Sequence, residues 1–297
     1  MRSDRGRTSV DLATGLLGAG KTTFIKGYID FLQRNNITCA VIENEFGLAG
    51  VDTALLSCAG VRITQLVGGC ICCGLKVGFV DALIELLKDY ERVVVEPSGV
   101  FTLGDFYEVM DAPAVRERCA VGAVVTVVDG SARVDEGDRE LFDAQIIGTG
   151  IVVANRCGTW DWDGPAIDSP AINVPVIIDN GLTDEDYMRI MESAPVTHNG
   201  VKADIDHASI YQSCSFAPPD ALSPEEIRSA AQSIFTTSAC GDVLRIKGSA
   251  AGCAVNATKN HVTVTQDTTG SVPTMLNVIG RRLNRSEIRR ILLPRQV

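Results

Sequence analysis

Short, nearly unbroken apolar runs punctuate the first two thirds of the chain. They are Thr8 to Ala13, Cys39 to Glu43, Val61 to Val67, Arg92 to Val95, Val121 to Val128, Ile151 to Ala154 and Val174 to Ile178. A strand that reads this way is buried on both faces. Between the runs the spacing becomes helical. Phe24, Tyr28, Phe31 and Leu32 share one face of Thr22 to Arg34, and Phe79, Leu83, Leu86 and Leu87 one side of Val77 to Lys88. Strands and helices in alternation predict an α/β unit with a parallel sheet covered on both faces. Glu43, Glu96, Asp129 and Asn155 stand at the C-terminal ends of predicted strands. That edge is where an open α/β sheet builds its site.

The pattern changes near residue 195. Ala194 to Asp206 is a polar connection containing Pro195 and Gly200. Beyond it, Ile210 to Phe216, Asp242 to Lys247, Cys253 to Ala257, His261 to Thr265 and Met275 to Ile279 read as strands of a meander. Ser223-Pro-Glu-Glu226 is a capping box with proline at the first helical position, opening a helix to about Phe235. Asn284 to Glu287 caps a last helix to about Leu293. The expected division is a nucleotide-binding domain over 1–200 and a small α+β domain over 207–297.

The first predicted strand runs into Thr-Gly-Leu-Leu-Gly-Ala-Gly-Lys-Thr-Thr, residues 14 to 23. Gly15, Gly20, Lys21 and Thr22 fill the G-x-x-x-x-G-K-[ST] pattern. Glycines let the backbone curl so that successive N–H groups face phosphate oxygens. Lys21 is placed to reach the β- and γ-phosphates, and the Thr22 hydroxyl to bind Mg²⁺. The helix that follows adds its positive dipole end. With a strand before it and a helix after it, this is a phosphate loop. The expected nucleotide contacts there are Gly18, Ala19, Gly20, Lys21, Thr22 and Thr23.

Charge and cysteine usage narrow the picture. Net charge is −10, which argues against general binding to nucleic acid or to anionic membrane. No run approaches the ~20 apolar residues that span a bilayer. The polar N-terminus shows no signal peptide, and the ten scattered cysteines read as reduced thiols of a cytoplasmic protein. Three of them cluster as Cys70, Cys72 and Cys73. Thiols so spaced can face one ion at the ~2.3 Å zinc–sulfur distance and leave a fourth position open, which suits metal transfer. Soft thiolates favour Zn²⁺ or Cu(I), with Co and Ni as further candidates. Structural cysteines or a redox site are the alternatives.

Several motifs together resemble the CobW-type family of P-loop GTPases. They are Gly15-Leu-Leu-Gly-Ala-Gly-Lys-Thr-Thr23, Asn44-Glu-Phe-Gly47 with Val51-Asp52, Gly69-Cys-Ile-Cys-Cys73 and Glu96-Pro-Ser-Gly99. Asp242-Val-Leu-Arg-Ile-Lys-Gly248 and Ile279-Gly-Arg-Arg-Leu283 resemble that family's C-terminal domain. The resemblance implies a metallochaperone that hydrolyses GTP with Mg²⁺ and delivers Zn²⁺, or in some members Co²⁺, to a client metalloprotein. It gives Glu96 the acidic role near Mg²⁺ and the attacking water, and Gly99 a backbone contact with the γ-phosphate. Lys21 and Glu96 are thus the expected catalytic pair, and Thr22 and Glu96 the Mg²⁺ set.

Three positions depart from the family pattern. Leu48 stands where many members have Glu, and His198, His207 and His261 are the only histidines. Asn155-Arg-Cys-Gly158 replaces the Asn-Lys-x-Asp of guanine-specific relatives. Asn155 and the stem of Arg156 remain as base contacts, but Gly158 offers no carboxylate to the guanine edge. Relaxed base selectivity follows, unless Asp161 or Asp163 swings in. Asp129 and Glu43 are lesser metal candidates, and a run of arginines near the C-terminus reads as a solvated helix face. A non-hydrolysing metal or redox sensor and a small-molecule kinase are the competing classes. Intact Lys21, Thr22 and Glu96 disfavour the sensor, and the cysteine cluster disfavours the kinase.

Overall fold

The structure is a computed structural model, and it describes residues 7–44, 61–66, 76–131, 134–157, 174–193, 211–218, 222–259, 261–266 and 274–292. The described residues fall into two units, one within Met1–Asn44 and Leu56–Ile205 and one within Asp206–Val297.

In the first unit seven strands form one sheet in the order β3-β2-β4-β1-β5-β6-β7. They are β1 (Thr8–Thr14), β2 (Cys39–Asn44), β3 (Arg62–Leu66), β4 (Arg92–Glu96), β5 (Cys119–Asp129), β6 (Ile151–Asn155) and β7 (Val176–Asp179). Every pairing is parallel. The helices are α1 (Lys21–Arg34), α2 (Lys76–Leu86), α3 (Leu103–Asp111), α4 (Pro113–Arg116), α5 (Arg139–Ile146) and α6 (Asp184–Glu192).

The apolar alternation along each strand feeds two cores. Ala13, Val41, Val94, Val125 and Val153 meet Phe24, Tyr28, Phe31 and Leu32 of α1 and Tyr187 and Ile190 of α6. Val10, Leu12, Ile42, Val93 and Val95 meet Phe79 and Leu83 of α2 and Phe106 and Met110 of α3. The sheet is therefore covered on both faces, as continuous apolar strands require. Thr102 caps α3 and Thr183 caps α6, each with a reciprocal aspartate three residues on. Proline at 175 shortens the expected 174–178 strand at its start, and β7 begins at Val176.

One polar group breaks the pattern. Asp11 lies mid-strand on the α1 side, 2 % exposed. Arg92 Nη1 holds its two carboxylate oxygens at 2.6 and 2.7 Å, and the Tyr28 hydroxyl donates to it at 3.1 Å. The β1–β5 register shifts between Val10 and Leu12, and there the Ala123 N–H donates to Asp11 Oδ1 at 2.8 Å. The carboxylate supplies the acceptor that the irregular ladder lacks. Burial pushes the Asp11 carboxyl up, and the Arg92 charge pulls it back.

In the second unit, β8 (Tyr211–Phe216), β9 (Asp242–Ala250), β10 (Cys253–Thr258), β11 (Val262–Gln266) and β12 (Met275–Arg281) form an antiparallel sheet in the order β11-β10-β9-β12-β8. Helices α7 (Pro224–Thr236) and α8 (Arg285–Leu292) bring Ile227, Ala231, Ile234, Ile288 and Leu292 to a core with Val243, Ile246, Val255 and Val278. Helices on an antiparallel sheet are the expected α+β arrangement. Asp242 accepts from Arg281 Nε at 2.9 Å and pairs with Lys259 at 3.3 Å. No helix among the described residues is long and apolar enough to cross a membrane.

Candidate nucleotide site

The site gathers at the C-terminal edge of the central strands. β1 ends at Thr14, and the chain turns through residues 15–20 into α1. Gly15 (φ 140°) passes so near β5 that a methyl group there would lie 2.2 Å from the Val127 carbonyl oxygen. Gly20 (φ 102°) leads into α1 from the left-handed region, with no side-chain cap, and no acidic residue follows in the first turn. By contrast α3, α6 and α7 all open with capping boxes. The N–H groups at the start of α1 are thus left to a ligand, and the cradle fits a phosphate group.

Lys21 is 5 % exposed, and its ammonium donates to the carbonyl oxygens of Gly15 at 2.9 Å and Leu16 at 3.2 Å. It lies across the mouth of the loop. The Thr22 hydroxyl donates to Glu96 Oε1 at 2.7 Å. A hydroxyl and a buried carboxylate so close are hard oxygen donors of the kind Mg²⁺ takes. Thr23 is on the exposed side of α1 and Ala19 is buried. Gly99 is pressed on the loop from the Glu96 side. A methyl group at Gly99 would fall 2.5 Å from the Leu17 backbone nitrogen and 2.8 Å from its Cα.

The third wall comes from the end of β6. Asn155 Nδ2 donates to the Ala19 carbonyl oxygen at 2.6 Å. Arg156, at φ 56°, donates from Nη2 to the Gly18 carbonyl oxygen at 2.7 Å and from Nη1 to Asp129 Oδ2. The guanidinium therefore bridges the phosphate loop and the end of β5, a role for its head that the sequence does not announce. Asp129 also accepts from the Ser131 N–H at 3.0 Å and hydroxyl at 2.6 Å, so it caps its own turn. Glu43 takes a hydrogen bond from Gln65 Nε2 at 3.2 Å. Cys157 is buried, and burial first, then Asp129 and Asp179, pushes its thiol up. Burial likewise lifts Cys39 and Cys119 to about 11. These thiols are inert packing groups at neutral pH.

Structure thus brings together Gly18, Ala19, Gly20, Lys21, Thr22, Glu96, Gly99, Asn155 and Arg156 as one constellation. Cys70, Cys72, Cys73, Leu48, Gly158, Asp161 and Asp163 lie outside the described residues. Sequence reasoning missed the Arg156–Asp129 bridge and Gln145, whose amide reaches the turn behind Glu96. The first had a signal, since both residues end neighbouring strands; the second had none.

A glycine-rich loop between a central parallel strand and an uncapped helix, with a lysine across it and a Thr–Glu pair beside it, defines a P-loop nucleotide-binding protein. Residues 9–164 match the family described as CobW/HypB/UreG, nucleotide-binding domain, and the chain belongs to that family. It is 30% identical over 187 residues to the zinc chaperone CobW of Pseudomonas aeruginosa, covering 51% of this chain and 49% of that one. It is 32% identical over 153 residues to the zinc chaperone YeiR of Escherichia coli, covering 50% and 46% respectively. The matches thus take in about half the length of these curated relatives. Among solved structures, Zn(II)-bound YjiA GTPase from E. coli aligns over 96% of this chain and 98% of its own, with 20% identity and a TM-score of 0.41.

Proposed function

We propose that this chain is a nucleotide-dependent metallochaperone: it binds GTP with Mg²⁺, hydrolyses it, and couples nucleotide state to the holding and release of Zn²⁺ for a client protein in the cytoplasm. The observation that carries the nucleotide half is the Thr22–Glu96 pair at 2.7 Å beside a loop spanned by Lys21. Mg²⁺, when bound, neutralises charge developing on the phosphates. Thr22 and Glu96 would hold it, and Glu96 would also orient the attacking water. Lys21 exchanges the two loop carbonyls for phosphate oxygens. Asn155 and Arg156 hold the loop from the base side. Gly99 brings the turn after Glu96 onto the loop, where its N–H can read the γ-phosphate.

The metal half rests on Cys70, Cys72 and Cys73, on family membership and on the zinc chaperones among its relatives. Co²⁺ is a further cargo that three thiolates can take. In this reading the nucleotide domain spans 1–200 and a CobW-type C-terminal domain spans 207–297.

The test is a Zn²⁺ titration of the nucleotide-free, GDP and GTP-analogue forms, run beside steady-state phosphate release. One Zn²⁺ per chain is expected, lost when all three cysteines become Ser. Nucleotide state should shift its affinity by roughly 5–150-fold, and Zn²⁺ should shift nucleotide affinity by the same factor. Superimposable titrations without phosphate release would instead support the non-hydrolysing sensor.

A further inference from the structure

The last turn of α5 carries Gln145, whose side chain is fully buried. Its amide nitrogen donates to the carbonyl oxygens of Gly99 at 3.0 Å and Phe101 at 2.9 Å. Both partners accept only, so the amide's orientation follows from them. They lie in the turn that follows Glu96, which the Phe101 N–H closes on the Ser98 carbonyl oxygen at 3.1 Å. The amide oxygen of Gln145 has no hydrogen-bond partner among the described residues. A position serving only to fill space would favour Leu or Met, which bury no polar group. Here the cost of burying an amide is borne for its two N–H bonds.

Gln145 itself is fixed from the sheet. The Thr126 hydroxyl of β5 donates to its backbone carbonyl at 2.6 Å, and Thr126 pairs with Thr14 of β1. Thr14 leads directly into the phosphate loop. On the far side Gly99 presses on Leu17 of that same loop. The contacts close a ring: loop, β1, β5, Gln145, the Gly99 turn, and back to the loop. With Gln145 held in place, the turn moves away only by breaking both hydrogen bonds from its amide.

We propose that Gln145 is a positioning residue for nucleotide hydrolysis, holding the turn behind Glu96 so that this carboxylate keeps its place beside Thr22. It rests on the hydrolysis reading above. Gln145→Met keeps the length and loses the donors; Gln145→Asn keeps the amide one methylene short and serves if the first does not fold. Three quantities are measured on the full chain: kcat for phosphate release, Kd for GDP, and hydrogen exchange at the amides of 99–101. The expected result is kcat lowered about tenfold or more, as misplaced catalytic groups give, Kd within about twofold, and faster exchange in the turn. Unchanged kcat overturns the proposal. So does a rise in kcat, which would make the clamp a restraint. A fall only in melting temperature, with kcat per folded molecule intact, overturns it as well. If the wild type releases no phosphate with or without Zn²⁺, the hydrolysis reading has failed, and unchanged exchange at 99–101 then refutes the clamp separately.

Discussion

Gly99→Ala tests the contact between the acidic turn and the phosphate loop. No left-handed φ is required at Gly99, so its glycine is needed for room alone. The added methyl would meet the Leu17 nitrogen at 2.5 Å, its Cα at 2.8 Å and its Cδ2 at 2.7 Å. Ordinary carbon contacts begin near ~3.5 Å, so turn and loop must part by about 1 Å. Two of the three obstacles are backbone, in a loop that Asn155 and Arg156 also hold, so the gap opens mostly on the Glu96 side. Overpacking of this kind costs about 1–3 kcal/mol. A ~1 Å displacement of a catalytic group costs on the order of 100-fold in rate. Single-turnover phosphate release and thermal melting of the same preparation measure both. The variant should melt earlier, bind GDP nearly as well, and release phosphate about 100-fold more slowly. Wild-type melting together with wild-type release would show that the close approach does not exist in solution.

Other consequences can be checked with simpler assays. Glu96→Gln should slow phosphate release by about 100-fold while changing nucleotide affinity little; equal loss in both would deny it a role confined to turnover. ATP should compete with GTP for one fluorescent analogue within roughly tenfold, and a preference above about a thousandfold would restore a carboxylate, Asp161 first, to the base site. Arg92→Met strands the buried Asp11 carboxylate and should cost about 3–5 kcal/mol in urea unfolding; the double variant with Asp11→Leu should lose less, and an equal or greater loss would refute the pairing argument. Burial alone would raise the Asp242 carboxyl, but Arg281 and Lys259 hold it below its ordinary value of 3.8. Its contribution is therefore present above that value and lost as pH falls through the lower folded one, so Asp242→Asn should flatten the acid branch of the stability curve below about pH 4.

What could be read from sequence depended on how local its cause was. The strands of the parallel sheet and the phosphate loop are written in consecutive residues, and they were legible. Helices α3 and α6 carry a weaker sequence signal, because Thr102-x-x-Asp105 and Thr183-x-x-Asp186 are capping boxes with Asp in place of Glu. Asp11 passed as part of an apolar run because its partners, Tyr28 and Arg92, lie one helix and three strands away. Asp129 at a strand end had two readings, and its bonds to Ser131 favour the turn cap over the metal. Gln145 was illegible for a deeper reason. Its partners are main-chain carbonyls, which every residue carries, so no side-chain pattern marks them.

The place of β1 in the sheet also sets the order in which the protein can be made. Among the described strands β1 is synthesised first, yet Ser9 pairs with Arg92 and Val10 with Val121. At roughly 5–20 residues per second, the strand beneath the phosphate loop waits on the order of ten seconds for its second neighbour. Until then β1 is an edge strand paired only with β4, and the loop has no β5 carbonyl beneath Gly15. Nascent chains arrested before β5 should therefore neither retain nucleotide nor resist protease as the full chain does.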